Sequence, residues 1–174
     1  MLHSTPELET QQLYLQQFQP SDLDALAALC AKPDVMRYVG HGIRTREETQ
    51  TGLHRMMAHW QAHGFGMWKL LEKETGAFVG RAGLSYLDRT PEIEVGYMLD
   101  RPFWGRGLAT EAARASLQFG FDTLGLTRIV AIARPENLAS QRVMQKLGMT
   151  YEKDAFYYNC EVVYWAIARE NFSL

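Results

Sequence analysis

Residues 92–110, Glu92-Ile-Glu-Val-Gly-Tyr-Met-Leu-Asp-Arg-Pro-Phe-Trp-Gly-Arg-Gly-Leu-Ala-Thr110, constrain the fold more than any other stretch. They read as a strand, a glycine-bearing turn and the first turn of a helix. Along the strand, Ile93, Val95, Tyr97 and Leu99 take one face and Glu92, Glu94, Gly96 and Met98 the other. Gly105 and Gly107 let the backbone turn tightly and approach a ligand. A helix that starts there aims unpaired N–H groups and the positive end of its dipole at one spot, which suits a phosphate group. Thr110 adds a hydroxyl in that first turn. A Walker loop is excluded because no Gly-Lys-Ser/Thr follows. A dinucleotide fingerprint fits poorly: Gly105-x-Gly107-x-x-Thr110 lacks the last small residue, and the strand before it is antiparallel in character.

The rest of the chain supplies a frame for this junction. Alternation of polarity gives an opening strand near 10–18, and Pro20 with Leu23, Leu26, Ala27 and Cys30 gives a helix. Pro33, Gly40 and Gly42 mark residues 31–44 as an irregular connector. Thr45 and Glu48 form a capping-box pattern for a helix that carries Leu53, Met56, Met57 and Trp60 on one face and stops near Gly64. Residues 66–72 and 77–86 read as a hairpin around Lys73–Gly76, with 92–99 as the next strand. A helix from about Leu108 to Leu124, a strand at Arg128–Ala133, a helix capped by Asn137 and closed by Gly148, and a final pair at Tyr151–Tyr158 and Glu161–Ala168 follow. The expected order is β-α-α-β-β-β-α-β-α-β-β. With no internal repeat and no long linker, the pattern predicts one α/β (α+β) domain over 1–174, a mixed sheet flanked by helices.

Charge narrows the ligand. A net charge of −2 and a pI near 6.2 argue against a nucleic-acid module. Residues 100–150 nevertheless hold seven basic side chains against four acidic ones, so this window is positive while the remainder is negative. A locally basic third around a phosphate-type turn suits a polyanionic small ligand. Cys30 and Cys160 stand far apart without metal-ligand spacing, and no apolar run approaches a membrane span. No basic region precedes an apolar run at the N-terminus, so the expectation is a cytoplasmic protein without a secretory leader. His3, His41, His54, His59 and His63 lack a set of paired ligands, and no metal is expected.

Three segments in order resemble the GNAT superfamily of acyl-CoA-dependent N-acyltransferases, and within it the branch of ribosomal-protein N-terminal acetyltransferases. They are Leu8–Leu15, then Glu94–Tyr97 running into Trp104-Gly-Arg-Gly-Leu-Ala-Thr-Glu111, and then Asn137-Leu-Ala-Ser140 through Lys146-Leu-Gly-Met149. The resemblance implies a mostly antiparallel mixed sheet with a splayed central strand pair, and acetyl-CoA as cosubstrate with no metal. It places Tyr97, Met98 and Leu99 along the pantetheine arm and the backbone of Trp104, Gly105, Arg106, Gly107, Leu108, Ala109 and Thr110 around the pyrophosphate. Trp104 stands where the family usually has Gln or Arg. Asn137 either bonds the pantetheine or caps its helix, or does both.

Glu94 resembles the family's strand glutamate, a general base acting through water; the alternative is a structural carboxylate. At an ordinary carboxylate pKa near 4.3 it would be a weak base, which favours an acceptor amine of low pKa. The tyrosine donor common in the superfamily is replaced by Met144, and the resemblance makes Ser140 a candidate substitute donor to the leaving thiolate; the alternative is a simple cap or surface role. Tyr97 is a second donor candidate, on the strand face of Val95. Tyr38, His41, Arg44, Tyr157 and Trp165 are candidates for the acceptor groove. The implied activity is acetyl transfer to a protein N-terminus or a small amine. A non-catalytic acyl-CoA-sensing domain is the alternative, and a nucleotide-dependent oxidoreductase a remote third. Sheet-edge strands leave a homodimer open.

Overall fold

The computed structural model describes residues 7–174. His3 and the first residues of the N-terminus, on which the expectation of no leader rests, lie outside the described residues. The strands are β1 (Leu8–Glu9), β2 (Leu13–Gln17), β3 (Met67–Glu72), β4 (Phe78–Tyr86), β5 (Ile93–Leu99), β6 (Arg128–Ala133), β7 (Thr150–Tyr157) and β8 (Cys160–Ala168). The helices are α1 (Leu23–Cys30), α2 (Pro33–Met36), α3 (Arg46–His63), α4 (Leu108–Gln118) and α5 (Leu138–Lys146). The strands form one sheet in the order β1-β2-β3-β4-β5-β6-β8-β7. Every neighbour pair is antiparallel except β5–β6, which is parallel and registers only at Glu94↔Val130. The expected splayed pair is therefore β5 and β6, which part beyond that one contact.

Strand alternation assigns the two layers of helices. Val95 and Leu99 face α4, where Ala113 and Leu117 pack on Val95, Ile129 and Ala131, and Leu108 and Ala112 pack on Leu99, Leu70 and Val79. Met98 faces the opposite layer, packed with Leu26, Leu29, Val35, Met36 and Leu53 from α1, α2 and α3. A Leu or Met closed into such a cluster contributes about 1.5–3 kcal/mol through apolar burial.

Local signals behave as their chemistry requires. The Thr45 Oγ1 accepts from Glu48 N and Glu48 Oε2 accepts from Thr45 N, a complete capping box, and Gly64 ends α3 in the left-handed conformation. The Asn137 Oδ1 accepts from Ser140 N at the start of α5. Three expectations need correction. The opening strand is split, because Thr10 Oγ1 accepts from Leu13 N in a turn between β1 and β2. The connector at 31–44 contains α2, initiated by Pro33 at its first position and anchored by buried Val35 and Met36. The helix expected to run to Leu124 ends as α-helix at Gln118 and continues as a π-turn, with Leu124 N bonded to Phe119 O.

Candidate active site

Two cavities meet at the place where β5 and β6 part. The first, about 680 Å³, is lined by Tyr97, Met98 and Leu99 of β5, the loop Phe103–Gly105, Gly107, the α4 start Leu108–Thr110, and Asn137 and Ser140 of α5. The second, about 450 Å³, is lined by Glu94, Gly96, Tyr97 and Met98 of β5, by Arg81 and Ser85 of β4, and by Asn137, Ser140 and Tyr158. Tyr97, Met98, Asn137 and Ser140 belong to both walls.

The loop in the first cavity is built to leave donors free. Gly105 and Gly107 both have positive φ, 72° and 76°, and a side chain at either would project into open space. Gly107 caps α4 without any side-chain hydrogen bond, so the first-turn N–H groups of the helix have no side-chain cap. Around this opening stand Arg37, Arg101, Arg142 and Lys146, against the single carboxylate of Asp34. The loop itself is tied down from behind. The Trp104 indole N–H donates to Leu99 O at 2.8 Å. Glu111 accepts from Gln12 N and from the Thr10 hydroxyl, fixing the first turn of α4 to the β1–β2 turn. Among the residues expected around the cofactor, Arg106 alone lines neither cavity: its side chain pairs with Glu72, leaving its backbone in the loop.

The second cavity holds the candidate base. Glu94 sits on the strand face opposite Val95, and burial pushes its carboxyl up to about 7 despite hydrogen bonds from Tyr158 and Ser85 and the charge of Arg81, all of which lower it. That lies above the ordinary glutamate value, because strands remote in sequence supply an enclosure that could not be seen from the residue. The Tyr158 hydroxyl donates to Glu94 Oε1 at 2.7 Å and accepts from Asp88 N at 2.7 Å. Tyr158 and Asn159 form the two-residue β7–β8 turn with φ of 51° and 58°. A tyrosine in that region costs roughly 1–2 kcal/mol, offset here by the hydroxyl's contacts.

Between the cavities, the Tyr97 hydroxyl donates to Ser140 O at 2.8 Å and lies 3.0 Å from Ser140 Oγ. Burial raises the Tyr97 phenol to about 12, so it is a neutral hydrogen-bonding group at physiological pH. The two donor candidates thus form one pair.

Of the residues named for the acceptor groove, Tyr38 and Arg44 line the second cavity and three others do not. His41 faces Glu48 at 3.5 Å. Tyr157 packs with Tyr164, and Trp165 is buried on the core face with Met144 and Met149. Strand parity explains the difference: Trp165 lies on the core side of β8, and the hairpin reaches the cavity through Tyr158 and Cys160 at its tip and Val162 on the opposite face. Tyr158, Arg81 and Arg134 were missed. The Tyr-Asn pair between two strand-like runs was the available signal for Tyr158, since Asn tolerates a left-handed turn.

Comparison with known proteins fits this geometry. The chain matches the family model described as Acetyltransferase (GNAT) domain over residues 12–150. The chain belongs to the GNAT acetyltransferase family. It is 32% identical over 155 residues to the uncharacterized protein YkkB of Bacillus subtilis, covering 87% of this chain and 90% of that one. An acetyltransferase from Agrobacterium tumefaciens superposes with a TM-score of 0.85 at 29% identity, over 97% of this chain and 98% of its own. RimL, a ribosomal L7/L12 alpha-N-protein acetyltransferase solved in complex with coenzyme A, shares the fold with a TM-score of 0.78 at 19% identity, over 91% and 95% of the two chains. The protein is accordingly an acyltransferase of the acetyl-CoA-dependent kind, with the mixed, mostly antiparallel sheet of that family. No helix among the described residues is long and apolar enough to cross a membrane.

Proposed function

We propose that this chain, as one acyltransferase domain, moves an acetyl group from acetyl-CoA to a primary amine by direct attack within a ternary complex. The observation that carries this reading is the meeting of the two cavities at Tyr97, Met98, Asn137 and Ser140, with a phosphate-type loop in one and a carboxyl of pKa about 7 in the other. The basic rim and the α4 N-terminus suit the phosphates of coenzyme A. The free stretch of β5 at Tyr97–Leu99 suits the amide-bearing pantetheine arm, and Asn137 stands beside it while capping α5.

Glu94 takes a proton from the acceptor ammonium, directly or through water. The freed nitrogen forms a bond to the thioester carbonyl carbon, the carbon–sulfur bond breaks, and the second proton that this nitrogen loses passes to the departing sulfur, so that the products are the amide and the free thiol. Ser140, held against Tyr97, offers its hydroxyl at the junction where that thiolate develops. A base with pKa near 7 serves amines of higher pKa as well as low-pKa ones, so the acceptor need not be a protein N-terminus. Cys30 and Cys160 are both free thiols, in keeping with a reducing cytoplasm.

A thermal-shift titration tests the reading first. Acetyl-CoA should raise the melting temperature with concentration, while NAD and ATP at the same concentrations should shift it far less. Thiol release with an amine panel then follows the transfer itself. No shift at millimolar acetyl-CoA removes the cofactor assignment; a shift with no thiol release from any amine leaves a binding domain in place of an enzyme.

A further inference from the structure

The second cavity has a charge character that acetyl transfer to a generic amine does not require. Arg44, Arg55, Arg81 and Arg134 line it, and Glu94 is its only carboxylate. Among the described residues, no carboxylate pairs with any of the four. Arg134 spends one donor on Gly40 O at 2.9 Å, while its Nε is buried without a partner. Arg81 rises from β4 on the same sheet face as Glu94, in register with Met98, and its side chain makes no hydrogen bond among the described residues. Burial first, and the neighbouring Arg44 charge second, hold its guanidinium below the ordinary arginine range.

Four guanidinium groups around the one carboxylate of Glu94 leave a surplus of positive charge, and those that lose hydration near one another repel. Guanidinium stays charged in proteins and presents a planar fork matched to carboxylate oxygens. The cavity therefore lacks the anion that its donors are shaped for. A polyamine would place its second ammonium among these arginines and meet repulsion. At about 450 Å³ the space suits a small molecule.

On the reading that this site acetylates an amine, we propose that its acceptor is a small amino-carboxylate, with the amine at Glu94 and the carboxylate groups held by Arg81 and Arg134, with Arg44 and Arg55 at the rim. The arginines supply affinity and exclude cationic acceptors; Glu94 supplies the base.

The test is thiol release from acetyl-CoA with matched acceptors: glutamate and aspartate, their amides and methyl esters, phosphoethanolamine, spermidine, and short peptides with an acidic first residue. The free acids should exceed their amides and esters in kcat/KM by on the order of tenfold to a hundredfold, the range for a charged hydrogen bond lost. Arg81→Met should collapse that preference through KM. Because Arg81 lies within the sheet, Arg55→Met on exposed α3 serves as a second variant, with a smaller loss of the same sign. In both, the acetyl-CoA thermal shift should persist. Amides, esters or spermidine matching the free acids would overturn the inference while leaving acetyl transfer standing. Preference for phosphoethanolamine, or for peptides alone, would overturn the carboxylate or the small-molecule assignment respectively. Thiol release from none of them, with the acetyl-CoA shift intact, would remove the transfer reading and this inference together.

Discussion

A carboxylate that takes a proton from an ammonium at neutral pH needs a proton affinity well above the ordinary glutamate value near 4.3. Glu94 obtains it by burial, and Tyr158 and Ser85 keep the rise from going further. If Glu94 is the base, kcat/KM should climb with pH and level off above about 7. Removing the Tyr158 hydroxyl takes away a contact that favours the charged form. Tyr158→Phe should therefore move the midpoint of that climb upward, by up to about one pH unit, as a pH–rate profile would read. Glu94→Gln should cut turnover on the order of a hundredfold or more and leave the acetyl-CoA thermal shift in place. It should also alter stability with pH. The folded pKa lies above the unfolded one, so the protonated carboxyl's contribution is fully present below about 4.3 and lost as pH rises through about 7. At pH 8 the buried charge costs stability that glutamine does not, so the variant should melt higher than the parent there and lose that advantage near pH 4.5. That Glu94 faces away from the core side of β5 was legible from strand alternation, and the structure puts it in the wall of the second cavity. Its proton affinity was not legible, because that depends on β4 and on a turn 64 residues away.

At the scale of elements, α5 is held by a side-chain cap whose loss should be measurable. Asn137→Ala removes the acceptor for Ser140 N and should lower stability by about 1 kcal/mol, a fall of roughly 2–4 °C in melting temperature for a chain of this size. Gly107 separates charge from conformation. Gly107→Asn and Gly107→Asp bear a similar cost for positive φ, so the stronger loss of acetyl-CoA affinity expected from Asp reports the negative charge placed at the α4 N-terminus. Elements signalled by local chemistry were legible: the Thr45–Glu48 box, the Gly64 stop and the Asn137 cap each satisfy backbone groups within a few residues. The split between β1 and β2, the one-turn α2 and the π-turn after Gln118 were not. Their local bonds need partners elsewhere to hold them: Glu111 accepts from Thr10 and Gln12 at the β1–β2 turn, and Val35 and Met36 close against Leu26, Leu29 and Leu53.

Over the whole molecule, charge is partitioned in a way that the net value of −2 conceals. Eight of the 18 Lys and Arg side chains line the two cavities, with two of the 20 carboxylates. Both proposed substrates are anionic, so raising ionic strength from about 0.05 M to 0.5 M should raise both KM values, with kcat far less affected, in steady-state assays. The positive window at 100–150 foreshadowed the first cavity. The second draws Arg44, Arg55 and Arg81 from outside that window, and only the sheet brings them together with Arg134. That sheet is joined across β5 and β6 by one registered pair, Glu94↔Val130. It therefore comprises two blocks, β1–β5 and β6–β8, with an open seam between them. A ligand whose own amides filled the seam would act as a missing strand and couple the blocks mechanically. Amide hydrogens along Tyr97–Leu99 would then exchange by local opening in the free protein and slow together when that strand is supplied.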